Sequence, residues 1–175
     1  MNINNKDKNI VLIGFMGSGK TSVGKRLSLV LKREFIDTDD FIEKREGMTI
    51  NEIFKEKGEE EFRKIERELY KRFSTPKKKI IATGGGVIKN SANIANLKKG
   101  GVIVYLKSSP EKIAQNLKFD NTRPILQVDD KEAKIRELLA QREAFYNKYA
   151  EITIDVSNYD IDHTVDKIIE LAKVW

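Results

Sequence analysis

The stretch Asn9-Ile10-Val11-Leu12-Ile13-Gly14-Phe15-Met16-Gly17-Ser18-Gly19-Lys20-Thr21-Ser22 decides the architecture. After Asn9 comes a β-branched apolar run, and Gly14 to Thr21 then matches G-x-x-x-x-G-K-[ST]. Beyond it Val23, Leu27, Val30 and Leu31 recur at helical spacing. A strand, a glycine-rich turn and a helix in that order let successive backbone N–H groups curl around phosphate oxygens, while the helix adds the positive end of its dipole. Lys20 then reaches the β- and γ-phosphates, and the Thr21 hydroxyl is placed to coordinate a Mg²⁺ that arrives with the nucleotide. Gly17, Ser18, Gly19, Lys20, Thr21 and Ser22 are therefore the residues expected to hold a nucleoside triphosphate. A glycine-rich turn without a ligand is the competing reading, and both flanks of the motif argue against it.

Working outward, Lys79-Ile80-Ile81-Ala82, Gly101 to Leu106 and Ile152 to Val156 are further near-continuous apolar runs, with a weaker one at Glu34-Phe35-Ile36-Asp37. Continuous rather than alternating patterning is expected of strands buried on both faces of a parallel sheet. Between them lie helical patterns: Phe62, Ile65, Leu69 and Phe73, then Asp130 to Tyr149, then Asp162 to Val174. Ser109-Pro110-Glu111 supplies a capping hydroxyl, a proline at the first helical position and an early acid before Ile113 to Leu117. The alternation predicts an α/β domain. No repeat, linker or low-complexity segment divides it, so one domain spanning residues 1–175 is expected.

Composition narrows the function classes. The chain has 175 residues, 39% hydrophobic and 34% charged, enough for a core. No apolar run reaches the roughly 18 residues of a membrane span, and the start MNINNKDKNIVLIGF has no signal-peptide order, so a cytoplasmic protein without a membrane partner is expected. Zero cysteines exclude disulfides, thiolate metal sites and a cysteine nucleophile. Thirty-three basic against 27 acidic residues give a net charge of +6, which favours anionic partners. The lysines are scattered through both halves without the interleaved aromatics of a stacking platform, so no specific nucleic-acid partner is expected. The Lys77-Lys78-Lys79 cluster reads as a solvated turn, and His163 as a surface residue.

The phosphate cradle serves ATPases, motors and small kinases alike, so the phosphoryl acceptor must be argued separately. Asp37-Thr38-Asp39-Asp40 ends the second strand, at the sheet edge where ligands bind. If the strand continues, Asp37 and Asp39 share a face, one placed to hold a metal-bound water and the other to take a proton from a substrate hydroxyl. An aspartate cap on the following helix fits the same letters. Thr83-Gly84-Gly85-Gly86 follows the third strand towards the same edge and permits close approach of a ligand to backbone donors. Arg63 has Glu59 and Glu66 at helical spacing, Arg123 stands before Pro124 in a loop suited to a lid, and Arg142 lies on a long helix where a surface ion pair is the ordinary expectation. Spacing alone leaves the roles of these arginines open.

Taken together and in order, these motifs resemble the shikimate kinase family. The resemblance runs through Gly14 to Thr21, Asp37-Thr38-Asp39, Ile53-Phe54 with Gly58-Glu59 and Phe62-Arg63, Gly84-Gly85-Gly86, Arg123-Pro124, and Gln141-Arg142 with Tyr146. It implies a three-layer α/β/α P-loop kinase fold, a five-stranded parallel sheet of order 2-3-1-4-5, and a lid at approximately residues 113–129. It also implies ATP-dependent phosphorylation of the 3-hydroxyl of shikimate, on the route to chorismate and aromatic amino acids, by a monomer.

By the same resemblance Lys20, Asp39 and Arg123 are catalytic, with Arg123 also meeting ATP as the lid arrives. Asp39, Arg63, Gly84, Gly85, Gly86 and Arg142 hold shikimate, with the two guanidinium forks on its carboxylate. Thr21 and, through water, Asp37 hold Mg²⁺. Some family members place an arginine on the adenine where this chain has Asn116, and the loop expected near the base, Val156 to Tyr159, carries no sharp motif. The alternatives are a related kinase for gluconate or a nucleoside monophosphate, and a P-loop nucleic-acid-binding protein.

Overall fold

The structure, a computed structural model, describes residues 5–174. Five strands alternate with helices in the order β1 (Asn9–Ile13), α1 (Lys20–Leu31), β2 (Phe35–Asp37), α2 (Thr38–Glu46), α3 (Ile50–Arg72), β3 (Ile80–Ala82), α4 (Ser91–Gly100), β4 (Gly101–Lys107), α5 (Pro110–Asn116), α6 (Lys131–Tyr149), β5 (Ile152–Asp155) and α7 (Ile161–Ala172). Short 3₁₀ turns lie at Val87–Lys89 and Pro124–Leu126. All strand pairs are parallel and the order is β2-β3-β1-β4-β5, as expected.

β1 is the central strand, fully buried, and its alternating side chains feed two separate cores. Val11 and Ile13 pack into a layer with Ile53, Phe62, Leu69, Ile135 and Tyr146, whereas Ile10 and Leu12 face Val23, Leu27, Val165 and Ile168. Each fully buried Leu or Ile contributes about 1.5–3 kcal/mol, so both layers anchor the strand whose end carries the phosphate loop. The register aligns Leu12 of β1 and Asp37 of β2 with the same residue, Ala82 of β3. Three loops therefore leave the sheet side by side, at the strand order's reversal, where open α/β sheets bind ligands.

The Ser109 cap matches its sequence signal, and the structure adds two aspartate caps. Ser109 accepts from Lys112 N with Pro110 inside the first turn of α5, and Asp130 and Asp160 cap α6 and α7. Two expectations change. β2 stops at Asp37, and Thr38 already begins α2, so Asp37 and Asp39 do not share a strand face. The helix carrying Phe62 to Leu69 begins as far back as Ile50 and is broken at Gly58, where φ is 83° and ψ 166°. Among the described residues no helix is long and apolar enough to cross a membrane.

Candidate active site

The loop after β1 forms the floor of a cleft of about 1110 Å³. Lys20 is nearly buried there, and its ammonium donates to the carbonyls of Gly14 (2.7 Å) and Phe15 (2.9 Å). Burial lowers its pKa to about 8, with Arg123 acting in the same direction and Asp39 and Asp37 opposing. The buried hydroxyls of Ser18 and Ser108, both lining the cleft, have no hydrogen-bond partner, as expected of groups that meet oxygen-rich ligand atoms. Asn116 at the end of α5 donates from Nδ2 to the Gly17 carbonyl at 2.8 Å. Leu117 sits so close that a Cβ on Gly17, where φ is 76°, would lie 2.7 Å from Leu117 Cγ. The position where some family members carry an arginine thus braces the phosphate loop in this chain.

Asp37 reconciles the two readings of the aspartate cluster. One carboxylate oxygen caps α2, accepting from Asp39 N (3.1 Å) and Asp40 N (3.4 Å), while the other accepts from Thr21 Oγ1 at 2.7 Å. Thr21 and Asp37 bring two hard oxygens together in the cleft, a donor set that fits Mg²⁺, which takes few protein ligands and completes its shell with phosphate oxygens and water. Asp39, one helical position on from Thr38, has its carboxyl pKa raised, first by burial and then by Asp37, against the pull of Arg123 and Lys20. A carboxylate so tuned is a stronger proton acceptor than a solvated aspartate.

The glycine loop after β3 runs past these groups. Gly84 presses on Asp39: a Cβ there would stand 2.9 Å from Asp39 Oδ1, so any larger residue would push the carboxylate aside. Gly84 N donates to Thr38 Oγ1 (3.1 Å), and Tyr146 Oη donates to the Gly85 carbonyl (2.8 Å). At the far end, a Cβ on Gly86 would meet the Arg63 guanidinium at 3.3 Å. Arg63 is held by Glu66 at 2.6 Å and Glu59 at 3.3 Å, with its guanidinium within 5.1 Å of the Phe62 ring centre and 5.9 Å of that of Phe54. Burial works against the Arg63 charge, but Glu66 and Glu59 outweigh it and keep the group more firmly protonated than a free arginine. Among the described residues Arg142 has no ion-pair partner; it lies over Phe15 of the phosphate loop, 5.5 Å from the ring centre, and acts on the Tyr146 hydroxyl.

The structure therefore brings Gly17, Ser18, Gly19, Lys20, Thr21 and Ser22 into one cleft with Asp37, Asp39, Gly84, Gly85 and Arg123. Arg63 and Gly86 adjoin each other, and Arg142 stands over Phe15 beside Tyr146. Arg123 is exposed in the segment after α5 and pairs with Asp120 at 3.5 Å, yet its charge reaches both Lys20 and Asp39. Residues 113–116 of the expected lid belong to α5 and the remainder forms a loop around a 3₁₀ turn. Thr38, Glu66 and Asn116 carry contacts to the site that sequence reading assigned to none of them. Only Glu66 left a trace, its spacing from Arg63.

Comparisons with known proteins identify the family. The family model for shikimate kinase matches residues 16–173. A shikimate kinase of Caldanaerobacter subterraneus subsp. tengcongensis is 50% identical over 162 residues, covering 93% of this chain and 94% of the relative. The solved shikimate kinase from Acinetobacter baumannii in complex with shikimate superposes with a TM-score of 0.88 at 39% identity, over 95% of this chain and 93% of that one. A gluconokinase from Sinorhizobium meliloti shares the fold alone, with a TM-score of 0.54 at 15% identity over 97% of this chain and 95% of that one.

Proposed function

The chain belongs to the shikimate kinase family, and from that membership and the cleft's geometry we propose how its residues carry the reaction. It is a kinase that phosphorylates shikimate with ATP. The observation that carries the residue assignments is the placement of Asp39: a carboxylate made basic by burial, against Gly84, within electrostatic reach of both Lys20 and Arg123.

Arg63 and Arg142 take the shikimate carboxylate, each fork offering paired N–H donors, while the loop backbone at Gly84 to Gly86 closes the pocket. The 3-hydroxyl then faces Asp39, which orients it and accepts its proton as oxygen attacks the γ-phosphorus. The new O–P bond forms in line with the breaking bond to the β-γ bridging oxygen, and ADP leaves. Lys20, released from Gly14 and Phe15, follows the negative charge on the transferring group. Arg123 meets the same charge when the segment around residues 113–129 closes as a lid. Thr21 and, through water, Asp37 would hold Mg²⁺, which would neutralise charge on the β- and γ-phosphates. The reaction places the enzyme in chorismate and aromatic amino acid biosynthesis, as a cytoplasmic monomer of one domain.

The test is ADP release by the purified protein with Mg²⁺ and ATP, offering shikimate, gluconate or a nucleoside monophosphate in turn. Release with shikimate alone is expected. Release with another acceptor would retain the phosphate cradle and overturn the acceptor pocket.

A further inference from the structure

The backbone of Gly84-Gly85-Gly86 offers three N–H donors and three carbonyl acceptors, and a complete accounting of them is informative. Gly84 N donates to Thr38 Oγ1 at 3.1 Å, and the Gly84 carbonyl accepts from Val87 N at 3.2 Å. The Gly85 carbonyl accepts from Tyr146 Oη at 2.8 Å, and that of Gly86 from Lys89 N at 3.0 Å. Among the described residues nothing pairs with Gly85 N–H or Gly86 N–H. The groups left over are of one kind, both donors, and both belong to the glycines that adjoin Tyr146 and Arg63.

Two of the four internal bonds are local turn bonds that the chain closes on itself. The other two come from side chains far away in sequence, 46 residues back and 61 residues ahead. Both side chains are fully buried. Thr38 is the residue between the two aspartates, and its hydroxyl also shares a 3.4 Å hydrogen bond with the buried Tyr70 hydroxyl. Tyr146 is fixed by stacking on Tyr105, with ring centres 5.0 Å apart. Each hydroxyl holds one peptide of the loop, Thr38 that of Gly84 and Tyr146 that of Gly85.

We infer that the Thr38 and Tyr146 hydroxyls are positioning residues which together orient the triglycine backbone, so that Gly85 N–H and Gly86 N–H remain as donors for the acceptor substrate. This rests on the acceptor pocket proposed above. Without the Thr38 hydroxyl, the part-buried Gly84 N–H keeps only the Tyr70 hydroxyl as an acceptor, and reaching for it turns the peptide and redirects the neighbouring donors. Because Gly84 also abuts Asp39, the same turn misplaces the carboxylate relative to the substrate hydroxyl.

The experiment is calorimetric titration of the full chain with shikimate, and separately with a non-hydrolysable ATP analogue, for wild type, Thr38→Val, Thr38→Ser, Tyr146→Phe and the Thr38→Val/Tyr146→Phe pair. Loss of either hydroxyl is expected to weaken shikimate binding by about tenfold to a hundredfold, the range for an unsatisfied buried polar group. Affinity for the ATP analogue should change by less than about threefold, and Thr38→Ser, which restores the oxygen, should return near wild type. The paired variant should lose less than the product of the single losses, since both hydroxyls act on one loop. Tyr146→Phe keeps the test open if Thr38→Val does not fold.

Shikimate affinity unchanged in both single variants, equal loss for the ATP analogue, or a Thr38→Ser variant as impaired as Thr38→Val would each overturn the inference. Wild-type binding beside equally competent variants overturns the positioning role and leaves the acceptor standing. A wild type that binds no shikimate overturns both.

Discussion

Asp37 accepts a hydrogen bond from Thr21 Oγ1 at 2.7 Å with one carboxylate oxygen while the other caps α2. The two duties separate by substitution. Asparagine caps a helix as well as aspartate, so Asp37→Asn should leave thermal stability nearly unchanged while raising the Mg²⁺ concentration for half-maximal turnover by about tenfold, the cost of about one charge-assisted contact. Asp37→Ala should add about 1 kcal/mol of destabilisation from the lost cap. Magnesium titrations of turnover and denaturant melts of both variants check the division of labour.

Lys20 sets an alkaline limit on ATP capture. It must be charged to meet phosphates, and burial in the cleft brings its pKa down to about 8. The value of kcat/KM for ATP, which reports the free enzyme, should therefore fall above pH 8, whereas kcat should hold to higher pH because bound phosphate favours the ammonium. On the acid side Asp39, with its pKa raised, loses its charge at a higher pH than a solvated aspartate. Lys20→Arg should erase the alkaline limb from whatever activity remains, since a guanidinium stays charged. The linkage has a definite sign: between about 8 and the ordinary 10.5 the unfolded chain binds more protons at this lysine, so its destabilising contribution is complete below that window and is relieved as pH rises through it.

Arg142 offers a fork of donors and lies across the Phe15 ring. Arg142→Lys should raise the KM for shikimate by about tenfold or more, through loss of both the bidentate contact and the stacking, with the KM for ATP little changed. An unchanged KM for shikimate would remove Arg142 from the acceptor pocket.

Gly84→Ala places a methyl 2.9 Å from Asp39 Oδ1. The carboxylate must shift by about half an ångström, and since about 1 Å at a reacting group costs about a hundredfold, the rate should fall by about tenfold. Nucleotide affinity should persist, because the phosphate loop makes no hydrogen bond to Gly84. Single-turnover rates with saturating shikimate, beside ATP-analogue binding, check this.

What could be read from the chain is what is local. The β-branched runs, the glycine-lysine-threonine loop and the Ser109-Pro110 cap each declare themselves within a few residues, and five parallel strands follow from the continuity of their apolar runs. The aspartate cluster offered a cap and a metal contact as alternatives, whereas Asp37 serves both through its two oxygens. The early start of α2 was hidden because Asp37 ends a strand and caps a helix in one residue. The break at Gly58 was hidden because helical spacing continues on both sides. Asn116 binding Gly17, and Thr38 and Tyr146 binding the glycine loop, join residues 46 to 99 positions apart; a pattern along the chain carries no mark of such pairs.

The triglycine run is also a ruler with a sign at each end. Its first residue abuts the Asp39 carboxylate and its third abuts the Arg63 guanidinium, two residues and therefore at most about 7 Å of backbone apart. A molecule that carries an anion at one end and a hydroxyl at the other lies along this ruler in a single sense. Reversed, it sets carboxylate against carboxylate; uncharged, it leaves the guanidinium uncompensated. An acceptor held as proposed would thus present one particular hydroxyl for phosphorylation, chosen by two opposite charges spaced by three residues that have no side chains.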